Sequence, residues 1–166
     1  MHNRIRVIGI DPGLRRMGWG VIEVEGNRLS AVAHGTVTPP TQAALSDRLQ
    51  HLFEELGEIV ERFQPDEASI EEAFMANNAS SAMKLGHARA AAMLAPASRG
   101  IAVSEYAARL VKKTVVGTGA ADKNQIAAMI AVLLPGTKAE ADAADALAIA
   151  VCHAHHRKAQ AIGSAA

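Results

Sequence analysis

The run Ile5 to Ile10, IRVIGI, constrains the fold more than any other stretch of the chain. It is apolar and β-branched and is cut off by Asp11-Pro12-Gly13, the pattern of a buried strand that ends in a turn. Such a strand needs cover on its faces, and it delivers Asp11 to its C-terminal tip. Two further strand-like runs, Gly18 to Val24 and Leu29 to Val37, are joined by Glu25-Gly26-Asn27, which suits an antiparallel meander. From Ala43 to Phe63, residues Leu45, Leu49, Leu52, Leu56, Ile59, Val60 and Phe63 recur at helical intervals, which predicts a long amphipathic helix ended by Pro65-Asp66. Ala68 to Ile70 reads as a short buried strand with Glu71-Glu72 at its end. An Ala-rich helix over Ser80 to Ala95, stopped or kinked by Pro96, precedes a strand at Ile101 to Val103. Helical stretches at Ala107 to Lys113, Lys123 to Leu134 and Ala139 to His153 close the chain. This order predicts an α/β fold, a mixed sheet flanked by helices on both faces.

With 166 residues the chain is long enough for one full core and short for two, so a single domain over 1–166 is expected, with a disordered tail from about 156 to 166. Hydrophobic residues at 49% and charged residues at 20% exclude the disordered class. Because 17 basic residues balance 17 acidic ones, attraction to a polyanion has to come from a local patch. Cys152 lies alone in an apolar run and reads as structural. The N-terminal apolar run is too short for a signal peptide, and no stretch is long and uncharged enough for a membrane span, so a cytoplasmic enzyme is the expectation.

Buried carboxylates are costly unless a cation compensates them. In the segment from Ala141 to Val151 the only charges are Asp142 and Asp145, three apart and therefore on one helical face. Each acid has an ordinary explanation: the helix dipole for Asp142, turn initiation for Asp11, a polar strand end for Glu71 and Glu72. The dipole covers Asp145 less well than Asp142. Together the acids come from two strand tips and one helix, a hard oxygen set that suits Mg²⁺. Two such ions, roughly 3.5 to 4 Å apart, drive in-line cleavage of a phosphodiester. No thiolate cluster, zinc spacing, Gly-x-Ser-x-Gly elbow or P-loop supports another chemistry.

Four blocks, IGIDPGLRRMGWGVIE, IEEAFMANNASSAMKLGHARAAA, EYAARLVKKTVVGTGAADKNQI and ADAADALAIAVCHA, resemble in order and spacing the RuvC family of Holliday junction resolvases, over about Ile5 to His155. The resemblance implies an RNase H-like fold and a homodimeric, Mg²⁺-dependent endonuclease that nicks four-way DNA junctions in pairs, with Mn²⁺ as a substitute and two ions per site. It places the catalytic, metal-holding acids on Asp11, Glu71, Asp142 and Asp145 and leaves Glu72 outside the set. Some related enzymes carry His at one C-terminal position, where this chain keeps Asp. A branch-migration motor, the RuvA–RuvB complex, is the further partner that the resemblance implies.

Lys112 and Lys123 match the family's basic positions, and with Lys113 they are candidates for phosphate contact, although single lysines usually mark solvated helix faces. Phe74, in a loop-like stretch after Glu71, is either an inward staple or, as the resemblance implies, a wedge between base steps. Asn78 and Arg89 are further DNA-contact candidates, as are Arg15 and Arg16 in the turn after Asp11. Gly117-Thr118-Gly119 is either a plain turn or a phosphate cradle. His153, His155 and His156 read as cations at a helix C-terminus and not as a metal cluster, and Trp19 and Tyr106 as core. The Ala-rich helix is the candidate dimer face. Two rival functions are an actin-like or sugar-kinase-like nucleotide phosphotransferase, suggested by IGIDPG before a Gly-rich strand, and a junction-binding protein without catalysis. The first needs a second domain, for which the chain is short.

Overall fold

The computed structural model describes residues 3–72 and 78–163. Three strands, β1 (Arg4–Asp11), β2 (Met17–Glu25) and β3 (Arg28–Val37), form the expected antiparallel meander. After α1 (Leu45–Phe63), β4 (Glu67–Glu72) pairs with β1 in parallel, and after α2 (Ala79–Ala97), β5 (Ala102–Ala107) pairs with β4 in parallel. Helices α3 (Ala108–Val116), α4 (Lys123–Leu133) and α5 (Ala141–Gly163) follow. The sheet order is β3-β2-β1-β4-β5, mixed and covered on both faces.

Strand parity decides which side chain meets which layer. In β1, Ile5 and Val7 pack with the α3, α4 and α5 layer, while Ile8 and Ile10 pack with α1 and α2. In β4, Ala68 and Ile70 join the α1 and α2 side. The intervening Ser69 faces the other way and donates from Oγ to the Ile149 carbonyl of α5 at 3.4 Å. Asp11 and Glu71 continue the α5-facing parity at neighbouring strand tips, one step beyond the Ile10 and Ile70 pair. Glu72 takes the opposite parity and is exposed.

Helix α5 lies directly on the strands because glycines make room for it. A Cβ on Gly9 would stand 2.0 Å from the Ala146 carbonyl oxygen, and one on Gly18 would stand 2.1 Å from that of Asp142. No side chain fits at either place, so these glycines set the depth at which the acid-bearing turns of α5 rest on β1 and β2.

Three elements differ from the sequence expectation. Pro96 falls within the last turn of α2, which ends one residue later, so few helical bonds are left for it to break. Strand β5 runs on to Ala107, because pairing with β4 extends the ladder past Val103. Helix α5 continues to Gly163, past position 156 where the tail was expected to begin, and Arg157 on this extension is held by Glu67.

Candidate active site

Asp11, Glu71 and Asp145 line one cavity of about 440 Å³ together with Lys112 of α3 and Lys123 of α4. Its far wall is apolar, built from Val111, Ile126, Ala148 and Ile149. Asp142, one turn before Asp145, stands at the edge with its side chain 28% exposed. Asp11 and Glu71 also border a second groove of about 280 Å³ that reaches Glu72, Leu85 and Arg89. Two strand tips and the first two turns of a helix thus bring together four acids far apart in sequence.

The electrostatics match a site short of positive charge. Burial, followed by the charges of Glu71, Asp145 and Asp142, pushes Asp11 up to about 7, against an opposing pull from Lys123. Burial and Asp145 raise Glu71, partly offset by Lys112, Lys123 and Arg89. Burial also raises Asp145, whose carboxylate has Lys123 Nζ 3.7 Å away. Arg16 Nε lies 3.3 Å from Asp142. Among the described residues no three His, Cys, Asp or Glu side chains close on one point as a finished metal cage. As a donor set, four partly buried carboxylates, of which Asp11, Glu71 and Asp145 are costly to ionise alone, fit hard divalent cations.

The basic and polar candidates separate by position. Lys112 and Lys123 reach the acid cavity, whereas Lys113 is exposed and does not line it. The Arg89 guanidinium is engaged within the fold: Nε donates to the Glu71 carbonyl at 3.1 Å, and Nη2 pairs with Glu105. Asn78 caps α2, its side chain accepting from Ser81 N at 2.9 Å. Phe74 lies outside the described residues. Gly117, at φ 95°, closes α3, and the N-terminus of α4 is occupied by an Asp122–Gln125 capping box, so Gly117-Thr118-Gly119 serves as a turn. Trp19 stacks at 5.6 Å on Phe63, and Cys152 is fully buried.

Sequence reasoning missed a second charged cluster, at the other end of the α5 face. Tyr106 Oη lies 2.8 Å from His153 Nδ1, His153 Nε2 lies 2.6 Å from Glu67, and Arg157 grips both Glu67 oxygens at 2.7 and 2.9 Å. Because an ionised Glu67 only accepts, Nε2 carries the imidazole proton and Nδ1 accepts from Tyr106. His153 is therefore a buried link and not an exposed cation at a helix end. His156 instead meets Thr114 at 3.0 Å.

Comparison with known proteins gives a consistent picture. The family model described as crossover junction endodeoxyribonuclease RuvC matches residues 7–153. A crossover junction endodeoxyribonuclease RuvC of Maricaulis maris is 75% identical over 162 residues, covering 98% of each chain. One from Caulobacter vibrioides is 59% identical over 153 residues, covering 92% of this chain and 90% of its own. Among solved structures, T. thermophilus RuvC in complex with Holliday junction substrate superposes with a TM-score of 0.87 at 30% identity, covering 94% of this chain and 96% of that one.

Proposed function

The chain belongs to the RuvC family of crossover junction endodeoxyribonucleases, and from that premise we propose how its own residues bind and cut a junction. The fold is RNase H-like, the activity is that of a Holliday junction resolvase serving recombination and repair, and the nuclease is metal-dependent. On our reading Asp11, Glu71, Asp142 and Asp145 are the metal-holding acids, and the ions are two Mg²⁺, replaceable by Mn²⁺. The observation that carries this is the shared cavity in which three of the acids, with Asp142 at its edge, face Lys112 and Lys123. Divalent ions bound there supply the Lewis acidity that activates water and stabilises the leaving oxygen. The protein's part is to hold the carboxylates in place and to present the two lysines to the phosphates flanking the cut.

Glu71 acts and Glu72 does not, because only Glu71 shares the α5-facing parity. Arg89 contributes by fixing the Glu71 carbonyl, and Asn78 by starting α2. Lys113 is placed for an outer phosphate, and Phe74 is assigned the wedge that holds the junction open. Family membership sets aside the nucleotide phosphotransferase, and three acids lining one cavity with Asp142 at its edge argue against a binding protein without catalysis.

A four-way junction has approximate two-fold symmetry, so a C2 homodimer presents one site to each of two equivalent strands. The dimer contact is assigned to α2, where Met83, His87, Ala90 and Leu94 form one exposed stripe at i, i+4, i+7 and i+11. A Met83→Glu/Leu94→Glu variant is expected to sediment as a monomer. The partner motor is taken to be RuvA–RuvB and the compartment the cytoplasm; among the described residues no helix is long and apolar enough to cross a membrane.

Gel mobility and cleavage of a synthetic four-way junction and its linear duplex, with Mg²⁺ and with chelator, test the function. Symmetric nicks in the junction are expected in Mg²⁺ alone, and Asp142→Asn is expected to bind without cutting. Equal affinity for both DNAs with no cleavage would sink the reading.

A further inference from the structure

Arg16 is absorbed by none of the roles above. It stands in the turn after Asp11, opposite the first turn of α5, with Nε 3.3 Å from Asp142 Oδ2 and Nη2 3.5 Å from Glu140 Oε2. The turn is shaped to bring it there. A Cβ on Gly13 would stand 2.2 Å from the Arg16 carbonyl oxygen, so only glycine lets the chain fold back this tightly. The Leu14 carbonyl accepts from Arg48 Nη2 of α1 at 2.9 Å, tying the middle of the turn to the opposite layer. The backbone of the turn is therefore anchored on both sides. The Arg16 side chain is 52% exposed and keeps a solvent path.

A planar guanidinium recognises carboxylate and phosphate with the same fork of donors. The Nε–Nη2 edge that would fork a phosphate is the edge now turned to Asp142 and Glu140, so a phosphate taken on that edge displaces them. Asp142 is the acid at the edge of the cavity and is partnered by Arg16, whereas Asp145 inside is partnered by Lys123. We propose that Arg16 is a charge-exchange residue: without DNA it neutralises Asp142, and when a junction strand arrives it moves to a phosphate and releases Asp142 for the cation.

This rests on reading Asp142 as a metal-holding acid. Its consequence is thermodynamic coupling. The free protein binds divalent ions weakly because Arg16 competes for Asp142, and DNA binding removes the competitor, so DNA and metal each tighten the other by the same factor. A nuclease built this way holds little metal until it holds a junction.

The test is Arg16→Gln, with Mn²⁺ binding to the DNA-free protein measured by electron paramagnetic resonance and junction affinity measured in chelator. Mn²⁺ affinity is expected to rise about two- to five-fold, the scale of one half-exposed ion pair. Junction affinity in chelator is expected to fall by about the same factor. In an Asp142→Asn background the gain in Mn²⁺ affinity should vanish. An unchanged or weakened Mn²⁺ affinity would overturn the exchange. So would an unchanged junction affinity, or an equal gain in the Asp142→Asn background, which would mark a general field effect. If the unaltered protein binds no Mn²⁺ with or without DNA, the metal reading itself falls, and the exchange with it.

Discussion

Glu67 and Glu71 lie four residues apart on one strand, share a face and both look toward α5, yet their surroundings differ in sign. At Glu67, Arg157 and His153 supply donors on both oxygens, and the carboxyl is held down at about 2. At Glu71, burial and Asp145 act together, and the carboxyl is pushed up. The first end of the helix is compensated from within the fold. At the second, burial and mutual repulsion of the carboxylates outweigh the pull of Lys112 and Lys123. The contrast separates what holds α5 on the sheet from what the sheet and α5 jointly do.

Exchanging the charge of each glutamate in turn breaks the comparison most sharply. Glu71→Gln is expected to lower junction cleavage by about a thousand-fold or more, since several kcal/mol of transition-state stabilisation go with the ligand. In chelator it should melt no lower than the unaltered protein, because a repulsion is removed. Glu67→Gln should do the reverse, costing on the order of 2 kcal/mol by leaving Arg157 and His153 without their anion, while cleavage below the melting range stays within a few-fold. Calorimetry and a junction-cutting time course on both variants decide it. Matching behaviour of the two would erase the distinction.

Much of the acid end was legible in the sequence because each acid sits at an abrupt local boundary. Asp11 follows the apolar run Val7 to Ile10, and Asp142 and Asp145 interrupt another. The choice of Glu71 over Glu72 came from family resemblance; the physical reason, parity with Ser69 against α5, needed the layer on which α5 lies. The compensated end was not legible. Glu67 meets His153 and Arg157 across 86 and 90 residues, and no local pattern joins them. Arg89 is a DNA-contact candidate from the sequence, and what no local pattern showed is that its Nε and Nη2 meet Glu71 and Glu105 on two strands whose adjacency only the sheet order creates. The glycines under α5 carried a usable signal, since isolated glycine in a strand pattern marks close backbone approach.

Those glycines allow the two ends to be uncoupled mechanically. In Gly18→Ala the new Cβ has to displace the Asp142 carbonyl, so the first turn of α5 must lift from β2. The expected cost is about 1 to 3 kcal/mol, as for other overpacked sites. Mn²⁺ affinity should fall with it, while the Glu67 cluster, more than two turns further along the helix, stays intact. A variant that melts normally and binds Mn²⁺ normally would show that the depth of α5 does not set the acid geometry.

The two ends also respond oppositely to pH. Glu67, depressed from 4.5 to about 2, contributes stability that is complete above 4.5 and is lost as pH falls toward 2. His153, lowered from 6.5 chiefly by burial, is held neutral in the fold, so stability also falls as pH drops below 6.5. The raised acids at the other end run the other way, their repulsion easing as pH falls from about 7. Melting in chelator should therefore change little between pH 7 and 5 and then drop steeply. Glu67→Gln should remove roughly 1 to 2 kcal/mol of that drop below pH 4.5, a figure reduced for its partial exposure. An unaltered acid limb in this variant would take Glu67 out of the account.

The smallest effect isolates the cation deficit itself. If the acid end is short of positive charge, Mg²⁺ should stabilise the folded protein by mass action, by about 1 kcal/mol at about five times its dissociation constant. For a domain of this size that is a rise of roughly 2 to 4 °C in melting temperature. The rise should shrink in Asp11→Asn, which already relieves the repulsion, and persist in Glu67→Gln, whose defect lies at the other end of the helix. NaCl at equal ionic strength is the control, because general screening would lift both variants alike. Equal Mg²⁺ responses in Asp11→Asn and Glu67→Gln would mean that the ion acts on the whole surface, and the contrast between the two ends of α5 would then be one of packing and not of charge.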